Sequence, residues 1–85
     1  MNQTSRPSRP RQVLHHLTAH GRITDATARH QFGAFRLADA IYRLRTDLKN
    51  LMPKDKGILT VMREDLNETP FAEYRLVPSS QLNAA

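Results

Sequence analysis

The apolar positions of this 85-residue chain fall into short periodic groups separated by polar, glycine or proline punctuation. Val13, Leu14 and Leu17 make one helical stripe, with Pro10 placed for a first turn and Gly21 just past the end. The spacing predicts a first helix over Pro10–His20. Ile23 then stands alone in a short extended link, and Thr24 sits where a helix cap is wanted, with Asp25 in the following turn. A second helix is expected over Asp25–Phe32, burying Ala26 or Ala28 together with Phe32 and ending at Gly33. The clearest repeat is Leu37, Ile41, Leu44, Leu48 and Leu51, at spacings of four and three. On a helical net they share one face, which predicts a third helix over Phe35–Leu51 halted by Pro53. The repeat also fits a coiled-coil seam, but two heptads are fewer than such a seam needs, so burial within the domain is the expectation.

Residues 53–57 read as a polar loop. Ile58–Met62 is a β-branched apolar run, Glu64–Pro70 a polar turn, and Phe71–Val77 an alternating run, together a hairpin. The expected fold is therefore mainly α with a small β-hairpin: three helices followed by a two-stranded wing. The domain is expected over residues 11–77, with 1–10 a disordered basic arm and 78–85 a disordered tail. Arg6 and Arg9 of the arm are within reach of a DNA minor groove, although an untethered terminus is the default.

Composition narrows the chemistry. There are no cysteines, so neither a disulfide framework nor a thiolate zinc site is available. His16 and His20 stand four apart on one helix, short of the three or four protein ligands a zinc site uses, and no metal or cofactor is expected. No phosphate-cradling glycine loop or catalytic triad order stands out, so the chain is not expected to be an enzyme. The start has no signal-peptide core, and no run is long enough to span a bilayer. A cytoplasmic location without membrane contact is the expectation.

The formal charge is +5, and it is unevenly placed. Residues 1–49 carry nine basic side chains against three acids, and residues 50–85 four against five. A basic half on a small domain is the footprint of a nucleic-acid binder. Opposite the leucine stripe of the third helix stand Arg36, Asp39, Tyr42, Arg43, Thr46 and Asn50. Arginine reads guanine with two hydrogen bonds, so Arg36 and Arg43 are the candidate base readers, with Thr46 on the same face. Asp39 is placed to orient Arg43 or to accept from a cytosine amino group. Thr24 and Thr27, with free N–H groups at the second helix's start, are candidate phosphate contacts, as are Arg22 and Arg29. Arg45, at the edge of the face, is expected to pair with Asp25 or Asp47.

At Gly21-x-Ile23-Thr24, Ala28, Gly33, Arg36-Leu37-Ala38, Ile41-Tyr42-x-Leu44-Arg45 and Tyr74-x-Leu76 the chain resembles a small helix-turn-helix domain family found mainly in bacteriophages and prophages. The resemblance covers about residues 13–77 and implies a winged helix-turn-helix fold and DNA binding. It implies a duplex-DNA-binding protein acting as a transcriptional regulator, or as an accessory to recombination, excision or packaging. A domain this small reads few base pairs, so a homodimer on half-sites about 34 Å apart, or a phage or host protein partner, would supply specificity. The hairpin tip is acidic, with Glu64, Asp65 and Glu68, so DNA contact is assigned to the helices. The competing reading is a winged-helix protein-binding module, such as a phage factor that docks on and inhibits a host protein.

Overall fold

The computed structural model describes residues 8–33 and 35–82. In chain order the elements are α1 (Arg9–His20), β1 (Arg22–Thr24), α2 (Asp25–Phe32), α3 (Leu37–Arg45), a 3-10 turn (Lys49–Leu51), β2 (Lys56–Glu64), β3 (Pro70–Pro78) and α4 (Ser79–Leu82). The strands form one antiparallel sheet in the order β1-β3-β2. The first seven residues of the expected arm lie outside the described residues, but Ser8 caps α1, and Arg9 and Pro10 already belong to it.

Each helix ends where local chemistry ends it. The Ser8 side chain accepts from the Arg11 N–H, and Gly21, at φ 85°, returns its N–H to the Leu17 carbonyl. Thr24 caps α2 by accepting from the Thr27 N–H, and Gly33 closes it at φ 93°. Both glycines occupy backbone conformations that a Cβ would strain.

Three expectations need correction. Ile23 is not in a bare link: Arg22, Ile23 and Thr24 pair with Arg75, Tyr74 and Glu73, which makes the sheet three-stranded. The third helix stops at Arg45 rather than Leu51. The Thr46 hydroxyl donates to the Tyr42 carbonyl at 2.9 Å, the acceptor that the Thr46 N–H would need to continue the helix. That N–H turns to the Arg43 carbonyl, and tighter bonds from Lys49 to Thr46 and from Leu51 to Leu48 complete the turn. Leu48 still packs on the core without a continuous helix, and Met52 packs there too, while Leu51 is half-buried. Finally, part of the expected tail is ordered into α4, where the Ser79 N–H donates to the Asp55 carbonyl and Leu82 lies over Gly57.

The core is Val13 and Leu17 from α1, Ile23 from β1, Ala28 from α2, Leu37, Ala40, Ile41 and Leu44 from α3, and Ile58 from β2. Ala28, not Ala26, is the buried alanine of α2, and Phe32 packs at the core's margin. α3 contributes four of these nine side chains, so its position is set from beneath by burial.

Candidate nucleic-acid interface

Successive α-helical residues are about 100° apart, so the buried stripe of α3 dictates what it shows to solvent. Asp39 and Tyr42 lie most nearly opposite the core, with Arg36 and Arg43 on one flank and Arg45 on the other. The two flanks do different work. Arg45 donates to the Ile58 carbonyl at 2.7 Å and to the Thr60 hydroxyl at 2.9 Å, with its guanidinium over the Tyr74 ring. The ion pair expected with Asp25 or Asp47 is replaced by this clasp, because the flank of α3 that carries Arg45 faces β2. Arg43 lies roughly 200° around the helix from Arg45 and points away from the hairpin.

Arg36 is the N-cap of α3 and makes only a long, exposed contact of 3.8 Å with Asp39. Among the described residues Arg43 is in no ion pair. The acid expected to orient Arg43 thus stands closer to Arg36. Exposed pairs of this kind are worth little, so Arg36 remains available to another anion. Tyr42, 64% exposed, is the largest aromatic surface on this face. The helical net places it outward, and a solvent-facing aromatic beside arginines is the signal that marks it as a contact. Thr46 stands one turn further on, its hydroxyl committed to the Tyr42 carbonyl.

The remaining candidates form a second group. Arg22, Thr24 and Thr27 line a shallow depression of about 470 Å³ with His16, Gln31 and Glu73. Thr24 donates its hydroxyl to that of Thr27 at 3.2 Å, so the two threonines first serve the start of α2. Arg29 is engaged by Asp25 at 2.5 Å, one turn earlier on α2, in a pair that is itself exposed. The structure therefore separates Arg36, Asp39 and Arg43 on α3 from Arg22, Thr24 and Thr27 at the β1–α2 junction.

Glu73 is a site that sequence alone does not reveal. It lies on the sheet face opposite Ile23, Tyr74 and Ile58, yet is only 4% exposed. Arg75 donates to it at 2.7 Å and Arg63 at 3.4 Å. The hydrogen bond from Arg75, then the positive charges of Arg75, Arg63 and Arg22, hold the carboxyl below its ordinary value against the opposing pull of burial. A carboxylate depressed in the folded state stabilises the fold above its unfolded pKa, about 4.3, and that contribution disappears as pH falls through the lower folded value. Glu73→Gln is accordingly expected to lower the melting temperature by several degrees at pH 7. The gap to the parent should close in acid below about pH 4. A difference that stayed constant across a pH series of thermal melts would mean that the loss is one of shape and not charge.

His16 and His20 have ring centroids 4.5 Å apart, and burial, then the neighbouring His20 and His15, lowers the His16 pKa. Among the described residues no group of three or more His, Asp or Glu side chains is placed to hold a metal ion, and no helix is long and apolar enough to cross a membrane. Compared with protein-family models, curated proteins and solved structures, the chain matches none of them significantly.

Proposed function

We propose that the chain is a winged helix-turn-helix domain that binds duplex DNA by seating α3 in the major groove. Supporting the fold reading are the order helix, strand, helix, helix, hairpin and the sheet order β1-β3-β2. The observation that carries the function is the open flank of α3, where Arg36 and Arg43 are both exposed while four side chains beneath fix the helix. A helix with its side chains is about 10–12 Å across, which a major groove about 12 Å wide admits. On this reading Arg36 and Arg43 meet base edges or phosphates, Tyr42 lies between α3 and the sugar-phosphate wall, and Arg22, Thr24 and Thr27 approach a neighbouring phosphate. The acidic tip of the hairpin stays off the backbone. With the resemblance to phage-associated domains, a regulator of transcription or an accessory to DNA rearrangement is the role this contact would serve.

The test is a titration of the purified protein against a random duplex, read by fluorescence anisotropy at several salt concentrations. Contact with about four to six phosphates predicts that log K falls with log salt at a slope of roughly −3 to −6. No detectable binding at about 50 mM salt and millimolar duplex would remove the proposal, because even non-specific binders exceed this. The second reading, a protein-docking module, is favoured by one observation: Met62 and Leu66 are exposed apolar side chains on the hairpin.

A further inference from the structure

Two surfaces at opposite ends of the hairpin carry opposite charges around apolar groups. At the tip, the Asp65 carboxylate accepts from the Asn67 and Thr69 N–H groups at 2.8 and 2.9 Å, and the Glu68 N–H donates to the Asp65 carbonyl. This turn is tied internally, and it holds Leu66 out at 102% exposure, the full area of the side chain. Glu64, Asp65 and Glu68, all exposed, give the turn that carries this leucine three negative charges. A fixed turn presenting an apolar knob loses little freedom when the knob is buried.

At the other end, where α3 stops early, the 3-10 turn, the start of β2 and α4 enclose an open cleft of about 1040 Å³. Met52, Ile58 and Leu82 give it an apolar lining, and Lys49, Lys54 and Lys56 stand on its rim, with Asp47 the acid among them. An apolar recess rimmed by lysines is the counterpart of an apolar knob on an acidic turn.

We propose that the hairpin tip of one copy of this chain docks into the cleft of a second copy, with Leu66 in the recess and the acids of its turn against Lys49, Lys54 and Lys56. A chain cannot make this contact with itself, since nine-residue strands put the tip roughly 26 Å from the base of the hairpin. The two surfaces differ, so one such contact leaves the pair with one tip and one cleft open: association then continues head-to-tail, or closes at the dimer where two copies exchange tips about a two-fold axis. The choice of occupant rests on the matched charges, and it does not depend on whether α3 binds DNA.

Sedimentation velocity on the chain without nucleic acid tests it. The weight-average mass is expected to rise above the 9.7 kDa of one chain as concentration approaches about 1 mM, and to fall back in high salt. Leu66→Lys, which is fully exposed and should melt like the parent, is expected to stay monomeric. The double variant Lys49→Glu, Lys54→Glu should do the same. Mixed together, these two variants are expected to form dimers and nothing larger, because only one intact tip and one intact cleft remain to pair. A parent that stays monomeric at about 1 mM overturns the proposal. So do variants that associate as the parent does, or a mixture in which no dimer forms.

Discussion

Replacing Arg36 and Arg43 together by alanine is expected to weaken duplex binding about thirty-fold while the melting temperature stays within about 2 °C of the parent. The first figure follows from about 1 kcal/mol for each lost contact, at the low end for an arginine on a base edge or phosphate. The second follows from exposure: neither side chain reaches the core, and among the described residues the only ion pair lost is the long contact between Arg36 and Asp39. If both arginines touch phosphate, the salt slope should also become shallower by about two. If they touch bases, discrimination between sequences should fall while the slope holds. Lysine at both positions separates charge from geometry, since it keeps the attraction but loses the two-pronged hydrogen bond. Unchanged binding in the alanine variant would mean that DNA, if bound, meets another surface. A drop of many degrees in melting temperature would show that this flank is part of the scaffold.

The largest expected effect on stability comes from beneath the same helix. Leu44, the penultimate residue of α3, is fully buried in the core cluster it shares with Ile41, Leu17 and Ile58. Truncating such a leucine to alanine removes its transfer free energy and leaves a void, a cost of about 3 kcal/mol within a range of 2–5. In a domain of this size each kcal/mol moves the melting temperature by about 4–8 °C, so Leu44→Ala should lower it on the order of 12–24 °C. A fold stabilised by about 5–10 kcal/mol would lose a large part of its margin. Leu48→Ala, only half-buried in the turn, is the internal comparison and should cost clearly less. Equal losses at the two positions would contradict the helix end placed at Arg45, because a helix continuing to Leu51 would bury both alike. Calorimetric melts of the two variants decide it.

That comparison also shows what the sequence could and could not disclose. The repeat through Leu37, Ile41 and Leu44 located α3 and, by exclusion, its exposed arginines, because burial and exposure on one helix are two sides of the same periodicity. The same repeat overran the helix. Leu48 and Leu51 keep their spacing whether the backbone stays helical or tightens into a turn, and the deciding hydrogen bond from Thr46 to the Tyr42 carbonyl has no periodic signature. Arg45 was seen at the boundary of the face, but its acceptor is a main-chain carbonyl thirteen residues away, which side-chain charge matching cannot find. Glu73 occupies an outward position in an alternating strand. Its carboxylate is engaged there by Arg63 and Arg75, from their own positions on the sheet. α4 has no apolar stripe at all and is held by Leu82 over Gly57 and by the single bond to Asp55.

The pairing of Arg22–Thr24 with Glu73–Arg75 joins stretches about fifty positions apart along the chain. During synthesis the helical half leaves the ribosome with its first strand unmatched, and stays so until Glu73–Arg75 have followed it. Closing so distant a contact is slow compared with forming a helix. Truncation ahead of Glu73 would therefore deprive the N-terminal half of an edge it depends on, and would not release an independent helical unit.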